Sequence, residues 1–415
     1  MTTRSTVVIV GASVAGVRVA EELRRNAFDG TIVILDEEAE LPYDKPPLSK
    51  ALLAGTTGVE DVTLLSRAAA NELGLDLRLS SRASTLNLSR NEVELDGGDR
   101  VGFDQLVIAT GARARPSPWG QPEGLHLLRT LGDSQRLRAD LERGGRLAVI
   151  GGGFIGAEAA ATARSMGLAV TMIDILPAPM ERVLGPEVGQ RFAALHQRHG
   201  VQTIFGAGVA EVTGHRGEFR IGLTDGRTVD ADYVLVGIGA IPNDDWLASS
   251  GLLIDNGVVC DERCQAVDAP GVFAVGDVAR WRNPETGRLT RIEHWTSAIE
   301  QAALVAHNIT HPDDQLDYSP VEYVWSDQYD WKIRVAGNPG HTEGRHVEIL
   351  GEETDSNRFA ALYHDGDTLT GLVVVNWPRA LIAGRKALSA GTAYSLVRES
   401  LLELAQRPSP AAKGA

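Results

Sequence analysis

The sequence predicts an α/β protein in which one strand–turn–helix–strand pattern occurs twice, followed by a smaller α+β domain. Three observations carry this expectation. A β-branched run, a glycine turn, an amphipathic stretch and a second β-branched run follow one another from Thr6 to Leu35. The same order returns from Leu147 to Ile173. From about Pro320 the chain changes character, with Tyr323, Trp325, Tyr329 and Trp331 close together. A repeat of a whole supersecondary unit is far more specific than either of its glycine turns.

The first unit reads as a strand at Thr6–Val10, a helix at Val14–Arg25 with Val17, Ala20 and Leu23 on one face, and a strand at Thr31–Leu35. That is half of a parallel βαβ arrangement. Between strand and helix lies GASVAG, with Gly11, Ser13, Ala15 and Gly16. Gly11 permits the tight turn, Ser13 is small where a backbone must approach a pyrophosphate, and Gly16 permits close helix–strand packing. The free N–H groups and dipole of the helix N-terminus then favour phosphates. Asp36 and Glu37, some 20 residues past Gly16, end the second strand, where an acid can accept hydrogen bonds from a ribose. Alone, this motif also suits a ligand-free turn. A nucleophile elbow fits poorly, because Ala15 stands where that motif wants glycine.

The second unit is predicted as a strand at Leu147–Ile150, the turn GGGFIG from Gly151 to Gly156, a helix at Ile155–Met166 and a strand at Ala169–Ile173. Gly152, Gly153, Phe154, Ile155 and Gly156 are its candidate nucleotide contacts. Asp174 ends the strand 18 residues after Gly156. Its carboxylate suits a free 2′-hydroxyl and repels a 2′-phosphate, which favours NAD(H) over NADP(H). A further echo pairs DQLVIATGARARP (Asp104–Pro116) with DYVLVGIGAIPN (Asp232–Asn243), two buried-type strands running into small-residue turns, the second at Gly239. Both units are therefore expected to be Rossmann-like dinucleotide-binding domains. In the third zone, strands are expected at Lys332–Ala336, Val347–Leu350, Phe359–Tyr363 and Leu369–Val375, and helices at Arg379–Leu388 and Tyr394–Leu404. The tail from residue 406 is expected to be flexible.

Composition narrows the function classes. Of 415 residues, 40 are Lys or Arg and 55 are Asp or Glu, a net charge of −15. Hydrophobic residues are 43% and charged residues 23%, which excludes disorder. With 2 Cys and 18 Pro against 45 Gly, neither a disulfide scaffold nor a collagen-like chain fits. The acidic balance argues against nonspecific nucleic-acid binding and against docking on anionic lipid. The apolar run Val7–Val10 is too short for a signal peptide, and no stretch is long enough to span a membrane, so a cytoplasmic protein is expected. Cys260 and Cys264 read as ordinary reduced thiols. His196 and His199, three apart on one helix, read as surface histidines.

Several strings, in order, resemble the FAD-dependent NADH:ferredoxin reductases of oxygenase systems, the family of putidaredoxin reductase and the biphenyl dioxygenase ferredoxin reductase. They are LPYDKPPLSK (Leu41–Lys50), ATGA (Ala109–Ala112), LRTLGD (Leu128–Asp133), GGGFIGAE (Gly151–Glu158), VFAVGDVA (Val272–Ala279), RIEHW (Arg291–Trp295) and WSDQYDWKIRVAG (Trp325–Gly337). The resemblance spans roughly residues 5 to 400. It implies a glutathione-reductase-like fold with a discontinuous FAD domain (1–112 and 245–319), an NAD domain (113–244) and a C-terminal α+β domain (320–405). It implies non-covalent FAD, with Glu37, or failing it Asp36, on the adenosine ribose. Lys45, Pro46 and Lys50 would line the flavin, although many relatives carry Arg where Lys45 stands. Ala109, Thr110, Gly111 and Arg129 would approach the FAD diphosphate or adenosine. Asp277 would hydrogen-bond the ribitol and Trp295 would sit at the pyrimidine end of the ring, with Gly276, Glu293 and His294 as further cofactor-binding candidates. Lys50 and Glu158 resemble the ion pair beside the flavin N5 atom, where nicotinamide docks.

The activity implied is hydride transfer from NADH to FAD, then single-electron transfer to a 2Fe–2S ferredoxin that feeds a P450 or Rieske oxygenase. Such chemistry asks mainly for positioning and for a cation such as Lys50 to stabilise charge as the flavin is reduced. Disulfide reductases of similar architecture need a C-x4-C or C-x2-C pair, and neither is present. No metal site is expected. Two stretches are locally basic: residues 279–292 carry Arg280, Arg282, Arg288 and Arg291 against Glu285, and residues 376–398 carry Arg379, Arg385, Lys386 and Arg398 with no acid. An acidic ferredoxin is the partner that the first of these suits. Two other readings keep the scaffold: reduction of a quinone, oxygen or another small acceptor, and a redox-sensing protein like apoptosis-inducing factor.

Overall fold

The computed structural model describes residues 5–284, 287–340, 345–351 and 357–406. Glu285 and the tail beyond Gln406 lie outside the described residues. The chain divides into two compact units: Met1–Leu48, Gly55–Arg115 and Ala240–Pro320 form one; Ser49–Ala54, Pro116–Gly239 and Val321–Ala415 form the other.

The first unit is organised by a five-stranded parallel sheet in the order Val272–Ala274, Gln105–Ile108, Thr6–Val10, Thr31–Leu35, Leu75–Arg78. Thr6 pairs with Thr31 and Val10 with Leu35, while Val7 pairs with Gln105. Val7, Val8 and Ile9 have no solvent exposure. A parallel sheet covered on both faces needs such an unbroken apolar run, which is why the strand shows no polar alternation. Helix Val14–Arg25 packs against helix Trp295–Thr310. The unit also holds an antiparallel sheet, Ala83–Asn87, Glu92–Leu95 and Arg100–Gly102, and two smaller sheets.

The second unit repeats the plan. Its parallel sheet runs Gln202–Phe205, Ala169–Asp174, Arg146–Ile150, Tyr233–Val236, Leu125–His126. Three short antiparallel strands, Val209–Thr213, Phe219–Leu223 and Thr228–Ala231, are inserted in the chain between its strands Gln202–Phe205 and Tyr233–Val236. The aromatic zone forms a five-stranded antiparallel sheet in the order Tyr323–Gln328, Trp331–Gly337, Thr368–Val375, Phe359–Asp365, His346–Gly351. Trp331, Phe359 and Tyr363 share one core with Leu184, Val188 and Phe192 of helix Glu181–Arg198. Leu362, Leu372 and Val374 share another with Ala380, Ala387, Val397 and Leu401 of helices Pro378–Ser389 and Tyr394–Gln406. Each large side chain so buried stabilises the fold by about 1.5–3 kcal/mol. The four strands and two helices expected in this zone agree with the structure to within two residues at each end, while the strand Tyr323–Gln328 was not expected.

One expectation is overturned. His196 is not on the surface: it has no solvent exposure, because the C-terminal sheet covers its end of the helix. His199, the C-cap, stays partly exposed. Cys260 and Cys264 are both buried and free, and burial pushes both thiols up, away from the reactive thiolate. Among the described residues no helix is long and apolar enough to cross a membrane.

Candidate dinucleotide and redox sites

The two glycine turns have the same geometry. Gly11 lies at φ +108 and Gly151 at φ +107, where an L side chain is strained. A Cβ on Gly16 would stand 1.9 Å from the Gly11 carbonyl oxygen, and one on Gly156 2.0 Å from that of Gly151. Only glycine lets the first helical turn approach the strand so closely. Both helices begin without a side-chain cap, at Ser13 and at Gly153, which leaves their first N–H groups open to an anion. Helix Leu131–Leu141, by contrast, is closed by a capping box of Thr130 and Asp133.

The acids behind the turns are also equivalent. Asp36 accepts from the backbone N–H groups of Ala12 and, at 2.8 Å, Glu38. Asp174 accepts from Gly152 at 2.5 Å and Leu176 at 2.8 Å. Both therefore brace the turn that precedes them. Burial raises the carboxyl of Asp36 above its ordinary range, opposed by those two N–H groups. Glu37 is placed differently. Its side chain is 59% exposed, 3.4 Å from Arg82, and lines a cleft of about 520 Å³ with Glu38, Ser80, Ser81 and Asp96. Of the two acids, Glu37 is the one whose carboxylate is exposed.

Two further segments of the first unit meet this turn: a Cβ on Gly11 would stand 2.3 Å from the Ala109 carbonyl oxygen, and Gly276 lies beside Ala15. Gly276 lies at φ +73 and donates its N–H to Gln301 at 2.7 Å. A Cβ there would stand 3.4 Å from Ala15 and 3.6 Å from Ala298, so Gly276 and the starts of two helices meet through small residues. Trp295 opens its helix and donates its indole N–H to Asp44 at 2.8 Å. His294 is the N-cap; burial lowers its imidazole to about 4, and its Nδ1 is buried without a partner among the described residues. Arg291 bonds the Asp277 carbonyl at 3.1 Å and Glu293 at 2.7 Å. Lys45 lies 3.4 Å from Glu38 and from the Tyr43 hydroxyl, 4.6 Å over the Tyr43 ring, and Pro46 opens the following 3₁₀ turn. The Ala109–Gly111 turn is latched: Thr110 donates to the Asn243 carbonyl at 2.8 Å and Asn243 donates back at 2.9 Å. An open helix N-terminus, a cradle of small residues and an orphaned buried imidazole fit FAD.

In the second unit a Cβ on Gly153 meets nothing within 4 Å. Ile155 is 45% exposed beside this turn, Phe154 is half-buried, and Gly239 lies at φ +110. Arg129 precedes the capped helix and donates its backbone N–H to Asp133 at 3.0 Å. Glu158, on the glycine helix, is 3% exposed and accepts three bonds: from Ser49 Oγ at 2.5 Å, Lys50 Nζ at 2.6 Å and Ser326 Oγ at 2.7 Å. Thr162, one turn on, donates to the Ser49 carbonyl at 2.8 Å and anchors that segment. Sequence reasoning singled out Lys50 and Glu158 but not Ser49, Ser326, Asn243 or Gln301. The first two lie inside strings already recognised, and that was their only signal.

The basic stretch 279–292 is uneven. Arg280 forms an ion pair with Asp255 and Arg291 with Glu293, and both are partly buried. Arg282 and Arg288 are exposed.

Residues 5–302 match the family model described as pyridine nucleotide-disulphide oxidoreductase, and residues 323–401 match the reductase C-terminal domain. The chain is 35% identical over 387 residues to rhodocoxin reductase of Rhodococcus erythropolis, covering 92% of this chain and 89% of that protein. It is 37% identical to the ferredoxin–NAD(+) reductase component of the anthranilate 1,2-dioxygenase system of Burkholderia cepacia, covering 92% and 94%. Its fold matches the reductase in the covalent putidaredoxin reductase–putidaredoxin complex with a TM-score of 0.90 at 31% identity, over 98% of this chain and 100% of that one.

Proposed function

Because the chain belongs to the pyridine nucleotide-disulphide oxidoreductase family, whose members use FAD and NAD(H), we propose that it is an NADH-dependent ferredoxin reductase serving a P450 or Rieske oxygenase. The observation that carries this is the pair of equivalent glycine turns, each with an open helix N-terminus and a bracing acid. One chain then holds two dinucleotides, one resident and one exchanging. Bound FAD would supply the step between a two-electron donor and a one-electron acceptor. The balance is one NADH oxidised to NAD⁺ and two oxidised 2Fe–2S ferredoxins each reduced by one electron, with release of one proton.

The residues divide the work. The Gly11–Gly16 turn, Gly276 and the start of helix Trp295–Thr310 would hold the FAD phosphates and ribitol, and Glu37 the adenosine ribose. Lys45, Pro46, Arg129 and Asp277 would make the cofactor contacts that the resemblance implies. The Gly151–Gly156 turn and Asp174 would hold NADH. The ammonium of Lys50, pinned by Glu158, would stabilise negative charge that grows on the flavin as it is reduced. Buried thiols leave no dithiol to relay electrons, so they pass directly to the acceptor. An acidic ferredoxin would be steered to Arg282 and Arg288. The location proposed for it is the cytoplasm, where an NADH pool is available to it.

The purified protein should be yellow and bleach on adding NADH. Cytochrome c reduction should require an added 2Fe–2S ferredoxin. Equal reduction with and without ferredoxin would instead point to a small-molecule acceptor.

A further inference from the structure

We propose, on the reading of Lys50 and Glu158 given above, that Ser326, Gln328 and His196 are positioning residues for that pair: a one-way hydrogen-bond chain from Tyr329 that fixes the Glu158 carboxylate against Lys50. Ser326, Gln328 and His196 have no solvent exposure and sit beside an otherwise apolar core of Phe192, Trp331 and Phe359. Burying three polar side chains there is costly unless each is satisfied. Each is. Ser326 Oγ lies 2.7 Å from Glu158 Oε1, and Gln328 Nε2 lies 3.1 Å from Ser326 Oγ. His196 Nε2 lies 3.2 Å from Gln328 Oε1, and the Tyr329 hydroxyl 3.2 Å from His196 Nδ1.

The carboxylate sets the direction of every link. A carboxylate only accepts, so Ser326 spends its single hydroxyl proton on Glu158. Its oxygen must then accept from Gln328, which turns the amide oxygen of Gln328 toward His196. His196 must therefore carry its proton on Nε2, leaving Nδ1 to accept from Tyr329. Burial, which lowers the imidazole to about 4, keeps His196 neutral and so with a single N–H. The outer end is also held. Tyr329 adopts φ +53, strained for a non-glycine residue, and its ring stacks on His199 with centroids 3.7 Å apart and planes 1° apart. Strain of this kind persists only where neighbours over-determine the conformation. The chain thus anchors one carboxylate oxygen of Glu158 while Ser49 and Lys50 hold the other.

The test uses the full FAD-loaded protein with ¹⁵N-labelled histidine. His196 should show the neutral Nε2–H tautomer. In Glu158→Gln, whose amide can donate to Ser326, and in Ser326→Ala, which cuts the chain, an Nδ1–H population should appear. An Nδ1–H tautomer in the native protein, or an unchanged tautomer in both variants, overturns the chain. The kinetic arm is stopped-flow flavin reduction at saturating NADH. Ser326→Ala should slow it about tenfold, as expected for a lost bond to a charged group, with NADH affinity held within about twofold. Ser326→Thr should restore the rate, and Ser326→Ala should add nothing in a Glu158→Gln background. Gln328→Met, with the same volume, should lower the rate even if Ser326→Ala does not fold. If Lys50→Met slows flavin reduction while Ser326→Ala and Gln328→Met do not, the positioning role is wrong and the role of the pair stands. If Lys50→Met also has no effect, the role of the pair fails, and the tautomer measurement still decides the chain.

Discussion

Alanine at two glycines of one turn should separate folding from nucleotide binding. At Gly156 the added Cβ would lie 2.0 Å from the Gly151 carbonyl oxygen, against an ordinary contact of 3.4 Å or more. The helix must back away by about an ångström, because Gly151 is itself held 2.2 Å (from its own Cβ position) from the Gly237 carbonyl oxygen. Overpacking of this kind costs about 1–3 kcal/mol, and the roughly 1 kcal/mol that alanine gains over glycine within a helix offsets part of it. Clash with a backbone that cannot yield puts Gly156→Ala near the upper end, a loss of about 2 kcal/mol. Gly153 is the contrast. It has φ −70 and ψ −178, open to any residue, and its Cβ meets nothing within 4 Å. Gly153→Ala should change stability by less than about 0.5 kcal/mol, since the N-cap and chain-entropy effects oppose each other. Its methyl group would instead stand where a pyrophosphate backs onto the turn, raising the KM for NADH about tenfold, the equivalent of about 1.4 kcal/mol. Urea unfolding of both variants and NADH titration of the ferricyanide reductase activity measure the two effects. An unchanged KM for NADH in Gly153→Ala refutes the nucleotide role of the turn; wild-type stability in Gly156→Ala refutes the packing argument.

Asp174→Ala removes the acceptor for the Gly152 and Leu176 N–H groups, so it should weaken NADH binding and also lower stability by about 1–3 kcal/mol. A strong native preference for NADPH would contradict the role given to Asp174. Arg282→Glu combined with Arg288→Glu should raise the KM for ferredoxin and flatten its dependence on salt; unchanged kinetics with the cognate ferredoxin would remove the docking face. His196 gives a pH prediction. Its imidazole takes a proton near 6.5 when unfolded but only near 4 when folded, with His199 adding to the depression, so between those values the unfolded state binds more protons and stability falls as pH drops. The loss from this group reaches about 3 kcal/mol by pH 4 and does not grow below it. His196→Gln should reduce the slope of unfolding free energy against pH by about one proton in that window, and an unaltered slope would show that His196 is not buried neutral.

Much of the fold was legible because its signals are local. The strand Thr6–Val10, helix Val14–Arg25 and strand Thr31–Leu35 have the bounds their apolar periodicity predicts. Gly11 and Gly16 could be assigned to turn and packing because φ and Cβ clash belong to single residues. Short polar strands such as Ala83–Asn87 and Val209–Thr213 were missed, since strands that pair at a sheet surface carry no long apolar run.

What the amino-acid sequence determined alone was the repeated unit, the two glycine turns, the acids that follow them and the strings that hold Lys50 and Glu158. Only the tertiary structure decided which neighbour each polar group meets. Asp36 and Glu37 are adjacent in sequence, yet one braces a turn and the other opens onto a cleft. Arg280 and Arg291 look as accessible in sequence as Arg282 and Arg288 until packing half-buries them beside Asp255 and Glu293. His196 reads as a helix-end surface residue until the C-terminal sheet closes over it. Ser49, Lys50 and Ser326 converge on Glu158 from segments more than a hundred residues away. Periodicity and backbone preference act over a few residues, whereas burial and charge pairing depend on which distant segments the packing brings together.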